Sequence, residues 1–304
     1  MTTDEGRRTK DEGPTTEADL PRSSFVVRHS SLSVAIIAWD EERHLAAALA
    51  SVVGLASEVI VLLDSRTHDR SAAIARDHGA RVLVEPWRGF PAQRNRALDL
   101  CAGDWVLFLD ADERVTDELR DEIREVIGDR LQVTEGPSEM TTPVPCNLSP
   151  IPYAGYWIPR HNQFFGRTLR GGGWYPDHQL RLLQRERARF DEARRVHEFA
   201  RLDGRAGYLS GHLLHLNIER LGELWRKQTS YALQEAQTLF LAGQKARWRN
   251  FIGAPLREFH RRYVVLGGYR DGALGLFLCA TLAYFEWVKY AHLKGLDAVE
   301  GMKE

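Results

Sequence analysis

Three short apolar runs, at residues 33–38, 58–63 and 105–109, each break off at acid: Asp40, Asp64 and the pair Asp110/Asp112. They are too short for ordinary core helices and rich in β-branched residues, so they are expected as buried strands. Ala- and Leu-rich helical patterns follow at 41–53 and 71–78, the second closed by Gly79-Ala80. A third short strand is expected at 81–84 and a helix at 91–101. Strands that alternate with helices give an α/β fold, a parallel sheet covered on both faces. In such a sheet ligands bind beyond the carboxyl ends of the strands.

Asp40, Asp64, Asp110 and Asp112 are all expected at that edge. Gathered there, they would repel one another unless a cation or hydrogen-bond donors met them. Asp-x-Asp at a strand end offers hard oxygen ligands suited to Mg²⁺ or Mn²⁺, which a nucleotide diphosphate needs for neutralisation. A second reading stays open for Asp64 and Asp69, which can simply cap the helix that follows.

With 304 residues, 43% of them hydrophobic, the chain can bury a catalytic domain plus an appendage. A net charge of −1 gives no nucleic-acid footprint. Three scattered cysteines, Cys101, Cys146 and Cys279, argue against a disulfide framework or zinc cluster and fit a reducing cytoplasm. Residues 1–30 are polar and lack an apolar core, so a disordered leader without a secretory signal is expected. The Pro-, Ser- and Thr-containing stretch 132–152 is expected as a loop between a nucleotide half (31–130) and an acceptor half (151–217). A helical region follows at 218–304, and no internal repeat is present.

The stretches 33–42, 64–69, Trp87-Arg88-Gly89-Phe90 with Gln93-Arg94-Asn95, 104–114 and Gly172-Gly173-Trp174-Tyr175-Pro176-Asp177 together resemble family 2 glycosyltransferases of the GT-A fold. The likeness runs from about residue 32 to 295 and is nearest the lipopolysaccharide inner-core β-1,4-glucosyltransferase subgroup. It implies a Rossmann-like, mostly parallel sheet with helices on both faces and a helical C-terminal region. It also implies that Ala38, Asp40, Glu42 and Asp64 hold the uracil and ribose of a UDP-sugar, with Arg94 nearby. Asp110, Ala111 and Asp112 would bind the nucleotide sugar, Asp110 facing the ribose or the metal and Asp112 ligating the Mg²⁺ or Mn²⁺ on the diphosphate oxygens.

An inverting transferase of this kind needs a base opposite the leaving group. Asp177 is the candidate, in a Gly171–Gly173 turn that allows close backbone approach; His178 is the alternative. His197, in Arg195-Val196-His197-Glu198, matches a short pattern of the subgroup and would complete the metal shell or touch the diphosphate. His212 and His215 are read as structural or acceptor-side. The chain departs from the family pattern at Arg66, Thr67 and His68, at Asp40 where Asn is frequent and at Trp39 where a polar residue is common, which bears on the donor. The implied acceptor is a saccharide such as a lipopolysaccharide core or another glycolipid. Transfer to polyprenyl phosphate or protein, and nucleotide-sugar binding without turnover, remain as alternatives. A nicotinamide dehydrogenase is excluded because no glycine-rich turn follows Ile37.

Residues 245–263 alternate basic with large apolar side chains, and 273–285 is an apolar run of about 13 residues, too short to span a bilayer. Leu274, Phe277, Leu278, Thr281, Phe285 and Val288 share one helical face. Core packing or a peripheral contact with an anionic membrane is expected there, the second preferred because Arg and Lys flank the aromatics.

Overall fold

The computed structural model describes residues 30–128, 153–193 and 200–300. The expected leader (but for Ser30), the loop at 132–152 (all of it) and His197 lie outside the described residues. The first four strands are β1 (Leu32–Ala38), β2 (Glu58–Asp64), β3 (Arg81–Glu85) and β4 (Trp105–Phe108). They form a parallel unit in the order β3-β2-β1-β4. Helices α1 (Leu45–Ala50), α2 (Ser71–Asp77) and α3 (Phe90–Leu100) connect them, and α4 (Asp117–Gly128) follows β5 (Glu113–Val115).

Alternation within the strands explains the two covered faces. Val34 and Ile36 of β1 pack with Leu45, Ala48, Leu119 and Ile123, so α1 and α4 cover one side. Ala35, Ile60, Leu62 and Val106 pack with Ala97 and Leu98 of α3 on the other. Side chains such as Ile36 and Leu62 are fully buried, each worth roughly 1.5–3 kcal/mol of hydrophobic stabilisation.

The sheet then turns mixed. β4 pairs antiparallel with β8 (Asp177–Gln184), β8 with β6 (Gly155–Phe164), and β6 runs parallel to β12 (Leu213–Ile218), which pairs antiparallel with β5. Two short strands, β7 (Arg167–Thr168) and β11 (Ala206–Tyr208), flank β6. Within this sheet five pairings are parallel and four antiparallel. The result is the GT-A arrangement expected, a Rossmann-like half continued by a mixed one. A separate hairpin joins β9 (Ala188–Phe190) to β10 (Ala200–Leu202).

One helix is shorter than expected. In place of 41–53, α1 spans only Leu45–Ala50. The N–H groups of Glu41 and Glu42 point across to Ser71 Oγ (2.9 Å) and Asp69 Oδ2 (2.8 Å), away from any helix axis. At the far end Ser51 Oγ donates to the Ala48 carbonyl and a turn runs to Leu55.

The C-terminal region consists of α5 (Leu221–Leu241), α6 (Asn250–Phe259) and α7 (Gly272–Glu300). The apolar run at 273–285 is the front of a 29-residue helix, longer than expected. Lys289 bridges Glu286 and Glu235, which ties its polar second half to α5. By length and composition alone Gly268–Val299 is able to cross a membrane, with 33% of its apolar window buried inside the protein. Leu278, Thr281 and Phe285 of the predicted face are buried, while Phe277 stays exposed. Leu278 packs with Phe164, Leu169, Ile218 and Leu224, so the helices share a core with the acceptor half.

Candidate active site

The strand-end acids lie along one sheet edge, where the adjacent parallel strands β1, β2 and β4 stop. Ala38 is buried at the end of β1. Asp40 follows with φ of 51°, a left-handed conformation that Asp and Asn tolerate best among non-glycine residues. That is a physical reason why Asp can stand where Asn is frequent. Its Oδ1 accepts the N–H groups of His68 (2.8 Å) and Asp69 (3.3 Å). Glu42 Oε2 accepts the N–H of Arg70, so the two loops are laced together.

Asp64 is 2% exposed and grips its own loop. Arg66 donates to both its oxygens (Nε–Oδ1 3.1 Å, Nε–Oδ2 3.0 Å), and this hydrogen bonding holds the carboxyl below the usual carboxylate range. The Arg66 guanidinium also lies 4.7 Å from the Trp39 ring centroid. Two of the departures from the family pattern, Trp39 and Arg66, are therefore one contact.

The turn after β4 is closed from both sides. The Glu113 N–H donates to the Asp110 carbonyl (2.9 Å), and the Asp110 N–H donates to Glu113 Oε2 (3.0 Å). Arg114 holds the carbonyls of Ala111 and His44. Asp110 is met by Arg181, with Arg94 at 4.0 Å. Burial opposes its ionisation, but these guanidiniums hold its carboxyl well below the ordinary range. Asp112 lies 3.3 Å from His215 Nε2, which outweighs burial and keeps it ionised.

Asp177 opens β8 and is fully engaged: Oδ2 accepts from Arg160 Nη2 (2.7 Å), Arg160 Nε (3.0 Å) and Asn162 Nδ2 (3.0 Å), and Oδ1 accepts from Gln179 (2.7 Å). Burial raises its pKa and Arg160, with the two amides, lowers it further, so the net direction is down. Sheet register creates this cluster. Arg160 sits opposite Asp177, and Glu113, His215 and Asn162 stand in a row across β5, β12 and β6.

Two hydrogen-bonded routes then join Asp177 to the acid pair. One runs through Arg160 to fully buried Glu113 (3.0 Å), then Arg181 (2.9 Å) and Asp110. The other runs through Asn162 Oδ1 to His215 Nδ1 (2.6 Å) and on to Asp112. The sequence reading assigned no role to Arg160, Asn162 or Arg181. Its available signal was alternation: Arg160-x-Asn162 and Asp177-x-Gln179-x-Arg181 put polar groups on one strand face.

Glu41 was passed over as well. Burial, then the charges of Asp112, Asp69 and Asp110, push its carboxyl up to about 7 against the pull of Arg114. Negative charge therefore exceeds its local compensation beside Asp112. Among the described residues no three His, Cys, Asp or Glu side chains gather as a ready metal cage. A Mg²⁺-type ion needs no such cage, since one or two carboxylates with substrate phosphates and water complete its shell. Asp112 in its acidic surroundings fits that donor set.

Residues 33–134 match the Glycosyl transferase family 2 model. The chain is 28% identical, over 86% of its own length and 91% of the relative's, to the lipopolysaccharide core biosynthesis glycosyltransferase LpsC of Rhizobium meliloti. An uncharacterized glycosyltransferase of Rickettsia felis is 42% identical over 33% of this chain and 35% of its own. Among solved structures, glucosyl-3-phosphoglycerate synthase from Mycobacterium tuberculosis, in complex with Mn²⁺, UDP and glucosyl-3-phosphoglycerate, aligns with 28% identity and a TM-score of 0.26. That alignment covers 28% of this chain and 34% of the synthase. The family match falls on the segment that carries Asp40, Asp64, Asp110 and Asp112, and together with the likeness to LpsC over most of both chains it supports a family 2 glycosyltransferase.

Proposed function

We propose that the enzyme transfers a hexose, glucose from UDP-glucose in the simplest case, to a saccharide built on a lipid such as a lipopolysaccharide core, with inversion at the anomeric carbon. The observation that carries this reading is the linkage of Asp177 to both Asp110 and Asp112. A base and a diphosphate rim tied into one network suit a single displacement. The likeness to LpsC over most of both chains supports the choice of acceptor.

In this reading the loops at 38–42 and 64–69 cradle the nucleoside, and Arg94 and Asp110 form the wall behind the diphosphate. Asp112 is the principal carboxylate for Mg²⁺ or Mn²⁺, since both Asp110 oxygens already face Arg181. His197 remains assigned to the same shell or to the diphosphate. When bound, the cation neutralises charge growing on the leaving UDP. The acceptor oxygen bonds to the anomeric carbon as the bond to UDP breaks, and its proton passes to Asp177. Oδ1, with Gln179 alone on it among the described residues, is the receiving oxygen. Asp177→Asn is expected to cut kcat by roughly 10²–10⁴-fold while the Kd for UDP in Mn²⁺ stays within a factor of two. Undiminished transfer by that variant removes Asp177 from the mechanism.

Attachment to the inner face of the cytoplasmic membrane belongs to the same proposal. Trp248, Ile252 and Leu256 are exposed at i, i+4 and i+8, beside exposed Lys245, Arg247, Arg249 and Arg257. Apolar side chains rimmed by cations that have no carboxylate partner among the described residues suit an anionic interface. Vesicles of phosphatidylglycerol should carry the protein upward in flotation at low salt; a failure to float there overturns the contact.

A further inference from the structure

A cavity of about 1030 Å³ opens beside the Tyr175–Pro176 turn, directly before Asp177 in the chain. Its lining includes Arg167, Arg170 and Arg270, contributed by β7, the loop after it and the turn Gly268–Asp271 before α7. Among the described residues none of the three guanidiniums has a carboxylate partner. Three cations lining one space, two from neighbouring turns of the chain and the third from the turn before α7, repel each other unless an anion is placed between them.

The one acid among the described lining residues offsets one of the three charges but pairs with none of the guanidiniums. Asp271 is 8% exposed, and its two oxygens accept the backbone N–H groups of Arg170 (2.7 Å) and Gly171 (3.0 Å). It fixes the loop that presents Arg170. Gly171 completes the fixing, because a Cβ there would collide with the Gly267 carbonyl, and the Gly172 N–H donates to Leu266 O (2.8 Å). Arg170 is close enough to His161, also in the lining, to help burial and His212 lower that imidazole's pKa. The wall toward the neighbouring acidic cavity, which contains Glu118 and Glu122, is made by His161 stacked on His212 at 3.8 Å.

We infer that the cavity is the acceptor site and that it takes a saccharide bearing an oxyanion, phosphate or carboxylate, near the hydroxyl that reacts. Guanidinium groups bind both oxyanions through paired, charge-assisted hydrogen bonds. Tyr175 and Pro176 set the sugar against the edge that leads to Asp177. The assignment rests on the transferase reading above and adds the chemical class of its acceptor.

The test uses the full chain with UDP and Mg²⁺ and ligand-observed NMR titration with mannose, mannose 6-phosphate, glucuronate and inorganic phosphate. Mannose 6-phosphate and glucuronate should bind roughly tenfold or more tightly than mannose. Arg170→Gln with Arg270→Gln should abolish that preference and leave UDP affinity unchanged. Three results overturn the inference: no preference for the charged sugars, a preference that survives the double substitution, or inorganic phosphate binding as tightly as mannose 6-phosphate. Failure of the wild-type chain to bind UDP would instead strike the donor reading, since the sugar preference is measured separately.

Discussion

The two sides of the site hold their charges in different ways. On the nucleotide side Asp40 and Asp64 each stand at the end of their own strand and are met by one loop, the one after β2: Asp40 by the N–H groups of His68 and Asp69, Asp64 by Arg66. On the acceptor side Glu113, Arg160, Asn162, Asp177, Arg181 and His215 share donors and acceptors across four adjacent strands. Asp40 has solvent beside it and can wait for a ligand, whereas Asp64 is already closed by Arg66. Glu113, fully buried, must be paired at all times, so the acceptor side is framework as much as catalyst.

Asp112 sits where the two modes meet, and a large effect is expected there. Asp112→Asn should lower turnover about a hundred- to a thousandfold, the scale for removing one group aimed at growing charge, with little change in the unfolding midpoint. UDP release from UDP-glucose measures the first and urea unfolding the second. Full activity in excess chelator would remove the cation from the nucleotide side altogether.

The second test targets the framework. Glu113→Gln leaves Arg160 and Arg181 without their shared anion and should cost about 3–5 kcal/mol of stability, as broken buried ion pairs do. Asp40→Asn, at a laced but solvent-facing position, should cost under about 1 kcal/mol, because the amide keeps the acceptor oxygen and tolerates the same backbone angle. Equal losses at the two positions would erase the distinction.

This distinction also explains what could be read without coordinates. β1, β2, β3, β4 and the acids behind them were legible because a strand end is local: an apolar run, then a carboxylate. Helices α2 and α3 were placed within a residue at each end. The pairings Arg160 with Asp177 and Glu113 with Arg181 were not, because they depend on which strands lie side by side. Antiparallel β8 enters between β4 and β6, and nothing near Asp110 in the chain announces that Arg181 will be its partner. Asp177 was located by its turn, whereas its saturation by Arg160 followed only from register. Glu41 was hidden for another reason, since its neighbours Asp112 and Asp110 come from a different strand end.

Glu41 gives the smallest effect and the sharpest test of surplus charge on the nucleotide side. Its folded pKa of about 7 stands above the ordinary 4.5, so the folded state holds this proton more tightly than the unfolded chain. Stability from that proton is complete below about pH 4.5 and is lost as pH rises through 7. Glu41→Gln cannot ionise and escapes the loss. Because the side chain is partly exposed, water screens the effect, and the variant should melt only about 2–4 °C higher than wild type at pH 8. The two should coincide near pH 4.5. Saturating UDP with Mn²⁺ should close the gap at pH 8, because the bound cation relieves the same repulsion. A gap that is equal at both pH values would mean that Glu41 destabilises by packing, and the excess of negative charge beside Asp112 would have to be abandoned.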